Sequence, residues 1–210
     1  MEDFSEEYIR KNCPHCDVSS QAFKYPLFET EDFRIICDGH PLTEGHILII
    51  PKQHLSCIGE YSDDLLGKFI KLDEIVSDFV RKTYGSVSSF EHGKFGQTVF
   101  HSHVHYMPYE GEPLVIVPEG KDKITKIDSV RDLKKYYEKD GGYLYFTIGD
   151  DRWIVDPKLT APRFFRDRFA GALGHPERGN WKVMHEDQKM MDEVQEALDN
   201  TVKKWKKFQS

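Results

Sequence analysis

The run His101-Ser102-His103-Val104-His105 restricts this chain more than any other feature. Side chains alternate across a strand, so an extended backbone puts the three imidazoles on one face, about 6.5 to 7 Å apart along the chain. In a plain core those rings would each need partners, and in solvent their regular spacing would serve nothing. Residues 99–107 read as a strand, joined by the glycine-containing segment His92-Gly93-Lys94-Phe95-Gly96-Gln97 to a second strand at residues 87–91. The pattern points to a ligand, a metal or a reaction.

Two chemistries compete. All three histidines could hold a catalytic zinc, since alternating strand histidines can converge on one ion. Alternatively the labour is divided. An outer histidine then joins Cys13, Cys16 and His54 in a closed Cys2His2 site, and the middle ring, His103, stays free as a nucleophile. The spacing in Cys13-Pro14-His15-Cys16 is half of a tetrahedral site, or a redox pair; His15, inside the turn, is expected to point outward. The four cysteines, Cys13, Cys16, Cys37 and Cys57, are weak evidence for a disulfide framework without a secretion signal. Division of labour accounts for the CPHC turn and His54 as well as the cluster. It also suits phosphorus chemistry, because imidazole has an ordinary pKa near 6.5 and is a nucleophile at neutral pH.

The rest of the chain supplies a scaffold. Residues 33–37 and 46–51 read as strands. From Ser62 the period changes: Leu65, Phe69, Leu72, Val76 and Phe79 mark a helix with Ser62 as N-cap and Gly85 as stop. A helix followed by strands on short links predicts an antiparallel α+β sheet with one face covered. Beyond residue 112, residues 114–117 read as a strand and 128–139 as a capped helix. Residues 143–155 read as a hairpin turning at Gly149-Asp150, with Tyr143, Tyr145 and Trp153 either in its core or stacked on a base. Residues 162–173 read as a helix and 185–208 as a final amphipathic helix. The organisation expected is a domain over residues 1–110 and an extension, 111–210, packed on it. Arg163 and Arg166 are three apart and share a helix face, either to clamp a polyphosphate leaving group or as a solvated face paired with Asp167 or Glu177. The net charge of −7 argues against long nucleic acid as a partner, though not against a small anion. No run approaches the roughly 18 apolar residues that span a membrane, and the acidic amino terminus lacks a signal peptide's apolar core. A cytoplasmic protein is expected.

The string from His101 to Met107 resembles the His-φ-His-φ-His-φ-φ motif (φ apolar) of the histidine triad family, with Ser102 departing at one apolar position. Residues 45–54, GHILIIPKQH, are similar to the family's second signature, and Gly96-Gln97-Thr98-Val99 to the segment before its triad. The resemblance spans about residues 10–110, in order. It implies an antiparallel sheet of about five strands with a packed helix, here followed by a mixed α/β extension. The activity implied is that of a nucleotide hydrolase or nucleotidyl transferase, diadenosine polyphosphate hydrolase-like. Such an enzyme acts at the α-phosphate of a nucleoside mono- or dinucleotide polyphosphate or phosphoramidate, through a covalent nucleotidyl-histidine. His103 would be the nucleophile, His105 a phosphate contact, and His46 the supporting fourth histidine. Gln97 and Thr98 would bind phosphate oxygens and Asp38 the ribose. Cys13, Cys16, His54 and His101 would hold a structural zinc, and a homodimer is an arrangement the family uses. Glu91 stands where many members carry an amide; being anionic, it is expected to bind a sugar hydroxyl or a main-chain group. Phe90-Glu91-His92-Gly93 is similar to a subgroup with an extension like residues 161–182, as in the carboxy-terminal region of proteins associated with RNA lariat debranching. The rivals are a non-catalytic nucleotide- or RNA-associated adaptor and a hydrolase with catalytic zinc on the triad.

Overall fold

The apolar repeat from Leu65 to Phe79 forms helix α1, Asp63–Tyr84. The Ser62 side chain accepts the Leu65 N–H at its start, and Gly85, at φ 92°, closes its end in a conformation that favours glycine. This is a computed structural model in which residues 12–210 are described. The signal-peptide reading falls on the amino-terminal run and lies outside the described residues.

Among the described residues, eight strands make one antiparallel sheet: β1 Pro26–Glu29, β2 Phe33–Cys37, β3 Ile47–Pro51, β4 Ser88–Glu91, β5 Val104–Met107, β6 Ile124–Ile127, β7 Leu144–Ile148 and β8 Asp151–Val155. Their spatial order is β1-β2-β3-β5-β4-β7-β8-β6. The α+β class is as expected, and the first five strands are those of residues up to 110. β4 then pairs with β7, from Ser88 opposite Ile148 to Glu91 opposite Tyr145, so the extension's hairpin prolongs the same sheet.

Strand alternation sorts the core into two layers. Ile35, Ile47, Ile49, Val104 and Tyr106 pack beneath α1 against Phe69, Val76 and Phe79. Phe90, Met107, Leu144 and Phe146 face the other way and meet Phe165 and Phe169. These two come from a helix of the extension. Two short helices of the extension, α2 Pro113–Ile116 and α3 Leu133–Asp140, precede that helix, α4 Phe164–Ala172. A sheet with one covered face was expected. The second face is covered as well, because α4 closes over β4 and β7. The last helix, α5 Gln188–Phe208, returns to the first half of the chain. Its Val194 and Leu198 cover Cys37, and its Trp205 ring lies 4.8 Å from that of Phe79.

Two local expectations are corrected. Residues 114–117 are not a strand: Pro113 at the first helical position presets the turn of α2, and Ile116 is drawn into the α4 cluster. The triad strand begins at Val104 rather than residue 99. The Ser102 N–H donates to Leu55 O at 2.6 Å and its hydroxyl to Glu91 at 2.7 Å, so this segment gives up sheet pairing for loop contacts. Only His105 therefore sits in regular strand. No helix of the described residues is long and apolar enough to cross a membrane.

Phe165 is fully buried between α4, Phe90 and Phe146. Phe165→Ala is expected to lower stability by about 3–5 kcal/mol in urea unfolding. A loss below about 1 kcal/mol would mean that α4 is not part of the core.

Candidate active site

Cys13 and Cys16 sit on a tight turn, with the Cys16 N–H donating to Cys13 O at 3.0 Å. Their thiols face His54, which follows β3, and His101, which precedes β5. The four ligand atoms all lie within 4.8 Å of one another. Cys13 Sγ is 3.4 Å from His101 Nδ1, and Cys16 Sγ is 3.5 Å from that atom and 3.2 Å from His54 Nδ1. A tetrahedral zinc with bonds of about 2.0–2.3 Å spaces its ligands roughly 3.3–3.8 Å apart, so the set fits in chemistry and in size. The other ring nitrogen of His101 donates to Pro51 O at 2.8 Å. That bond leaves the Nδ1 lone pair aimed at the thiols, in the way metal-binding histidines are commonly oriented. Burial pushes the His101 pKa down to about 4, favouring the neutral ring a metal requires.

His103 is not among those ligands. It lines a cleft of about 390 Å³ together with Thr98, His105, Asp38, Arg163 and Arg166, within the roughly 300–1,000 Å³ of small-molecule sites. Its Nδ1–H donates to His101 O at 2.6 Å, which leaves the lone pair on Nε2. Burial lowers its pKa, so the ring is a free base at neutral pH.

The neighbouring histidines carry their protons in a determined order. The Leu42 N–H donates to His46 Nδ1 at 3.0 Å, so the His46 proton is on Nε2. That atom is 2.9 Å from His105 Nδ1, a contact that needs one proton and receives it from His46. His105 consequently holds its own proton on Nε2. Its ring stacks on Phe90 with centroids 4.2 Å apart. Burial pushes the His46 pKa down to about 4 and holds that of His105 well below 6.5, so both rings are neutral.

Asp38, expected at a ribose, has both oxygens engaged by the protein. Oδ1 accepts the His40 N–H at 2.9 Å, and Oδ2 accepts from Arg166 Nη1 at 2.7 Å. Burial opposes its ionisation, but the Arg166 guanidinium counters burial and holds the pKa well below the usual carboxylate range. Asp38, His46 and His105 have metal-like spacing, yet the Arg166 guanidinium already supplies the positive charge there. The two arginines do not share one face. Arg163 caps α4 at φ 59° and pairs with Asp167, while Arg166 is only 6% exposed and also donates to His40 O at 2.7 Å. Gln97 donates to Ser56 O at 2.6 Å and is not among the cleft's lining residues, whereas Thr98 is.

His15 does not point outward. With both cysteines turned toward the histidine pair, the residue between them folds inward. Its ring lies 5.1 Å from that of His103 and lines the cleft. His40 also lines it. The fold and site thus define an α+β protein with a free imidazole in a ligand-sized cleft, beside a Cys2His2 cluster.

The HIT domain family model matches residues 20–112. An uncharacterised HIT-like protein of Chlamydia muridarum is 36% identical over 87 residues, 39% of this chain and 68% of that one. The chain belongs to the HIT family. It is also similar to the adenylylsulfatase HINT3 of Arabidopsis thaliana, at 30% identity over 48% of this chain and 53% of that one. The adenosine 5'-monophosphoramidase HINT3 of Danio rerio is 36% identical over 30% of this chain and 42% of its own length.

Behind the cleft, Glu91 takes the main-chain alternative. It accepts from Ile58 N–H at 3.1 Å, Ser102 Oγ at 2.7 Å and Tyr143 Oη at 2.5 Å. Ser102, between His101 and His103, is so braced to β4 and to the extension. Burial raises the Glu91 pKa from 4.5 to about 7, against the opposing pull of these hydrogen bonds. The folded state therefore binds this proton more tightly than the unfolded state, and stability falls as pH rises from about 4.5 to about 7. Glu91→Gln is expected to flatten the stability loss between pH 5 and 8 by roughly 1–3 kcal/mol in urea unfolding. An unchanged slope would assign that pH dependence to other groups.

Proposed function

We propose that this protein is a nucleotide hydrolase or nucleotidyl transferase in which His103 attacks the α-phosphorus of a nucleotide. One observation carries the reading. The His101 carbonyl holds the His103 Nδ1 proton, so a neutral Nε2 lone pair is left in a cleft beside an imidazole N–H donor. In the first step the Nε2–phosphorus bond forms as the bond to the leaving group breaks. His105 Nε2–H and the Thr98 segment are placed to stabilise charge on the phosphoryl oxygens. In the second step water attacks phosphorus, releases the nucleoside monophosphate and restores His103; an acceptor other than water gives transfer.

The names of the two HINT3 relatives, an adenylylsulfatase and an adenosine 5'-monophosphoramidase, favour an adenosine 5'-phosphate carrying a small leaving group as the first substrate to examine. We assign a structural zinc to Cys13, Cys16, His54 and His101. Bound there, the ion would tie the amino-terminal turn to the segment that carries His103, and it would hold His15 at the cleft wall.

His103→Ala is expected to lower turnover of adenosine 5'-phosphoramidate by about 10³-fold or more. Acid quench of the native protein during turnover should leave a nucleotide on His103, detectable by mass spectrometry. Undiminished turnover by the variant would overturn the proposal. Metal analysis should find about one zinc per chain, lost in Cys13→Ser and kept in His103→Ala. A zinc-free chain with intact thiols would remove the metal assignment alone.

A further inference from the structure

Three groups compete for the buried carboxylate of Asp38. Its Oδ2 is 2.7 Å from Arg166 Nη1, 3.4 Å from His105 Nδ1 and 3.5 Å from His46 Nε2. The two imidazoles bond to each other instead, at 2.9 Å. A charge-assisted hydrogen bond is roughly twice as strong as a neutral one, and a guanidinium does not deprotonate. Arg166 therefore takes the carboxylate and leaves the rings with a single proton between them. Its position is fixed independently: Nη2 donates to His40 O at 2.7 Å and to Arg178 O at 3.4 Å, so the β2–β3 loop and the segment after α4 both hold it.

We propose that Arg166 is a positioning residue for the reaction: by occupying Asp38 it keeps His46 and His105 bonded to each other and neutral, with the His105 proton on Nε2. Among the described residues no lysine or arginine of the amino-terminal half pairs with this carboxylate, so the permanent charge comes from the extension, which completes the catalytic pair. The groups that face the pair are His103 on the segment before β5, Asp38 and His40 in the β2–β3 loop, and Arg166 on α4; Phe90 on β4 covers the His105 ring. Of these only Asp38 is negative.

Removal of the guanidinium leaves a buried carboxylate without a counter-ion. The nearest remedy is one proton from water, taken up at His105 Nδ1. Both ring N–H groups then donate to Oδ2, and the bond between the rings breaks. His105 becomes an imidazolium, and the reaction acquires an ionisation near neutrality that the native site lacks.

The kinetic consequence rests on the proposed function, whereas the proton arrangement does not, so the test reads both. Long-range 1H–15N correlation spectra of the full-length protein report the tautomer and charge of each histidine. At pH 7 the native protein should show His46 and His105 neutral, both protonated at Nε2. In Arg166→Met the His105 ionisation should rise by about one to three pH units. The acid limb of kcat/KM for adenosine 5'-phosphoramidate should move with it. Arg166→Lys restores a cation and should return the native spectrum, and Asp38→Asn/Arg166→Met, with neither charge, should again give neutral rings. Arg166→Gln, which keeps an amide donor for His40 O, serves if the Met variant does not fold. Neutral rings with unchanged tautomers in folded Arg166→Met, or in Arg166→Gln where the Met variant does not fold, overturn the proposal, as does a loss of activity with no change in ring charge. Absence of turnover by the native protein counts against the proposed function alone and leaves the spectroscopic result standing.

Discussion

The site depends on one residue with two obligations. The ring of His101 faces two thiols through Nδ1 and is anchored at Nε2 by Pro51 O, while its main-chain carbonyl takes the Nδ1 proton of His103. Moving His101 would disturb the Cys2His2 cluster and the tautomer of the neighbouring imidazole together. The His101 carbonyl accepts from the His103 ring rather than from a neighbouring strand, and regular strand begins only at Val104. The departure from sheet pairing at residues 98–103 is the local cost of that arrangement, and buried hydrogen bonds to Glu91, Tyr61 and Leu55 O offset it.

The second half of the chain is joined to this centre at three depths. β7 lies directly beside β4, one strand from the triad. Tyr143 reaches Glu91, which holds Ser102. Arg166 reaches Asp38, which borders the His46–His105 pair. A surface appendage would make none of these buried contacts. The cleft's lining includes Trp181, Val194 and Leu198 together with His15 from the cysteine turn, so its walls come from both ends of the chain.

Periodicity and punctuation made most of the scaffold legible. Ser62, the apolar repeat and Gly85 announce α1, and Gly149-Asp150 announces the β7–β8 hairpin. The convergence of Cys13, Cys16, His54 and His101 followed from ligand chemistry together with the family signatures. Elsewhere local pattern was insufficient. Residues 114–117 are apolar and three of them are β-branched, but a preceding proline and the α4 core decide their conformation. Arg166 sits in a string, Phe164-Phe165-Arg166, whose period marks it only as one position on a helix. Its partner lies 128 positions away, and nothing local encodes that. The direction of His15 is hidden for a related reason: a side chain within a CxxC turn points according to which segments the thiols face. Glu91 was recognisable as an anomaly, a carboxylate near a phosphate-binding segment. Only the three-dimensional fold shows it turned away from the cleft toward Ile58 and Tyr143.

Division of the triad is the claim on which the chemistry stands, and X-ray absorption at the zinc edge addresses it most directly. The zinc-loaded protein should show two sulfur and two nitrogen ligands, with the same spectrum in His103→Ala. A nitrogen shell that shrinks when His103 is replaced would place the central imidazole on the metal and contradict the account.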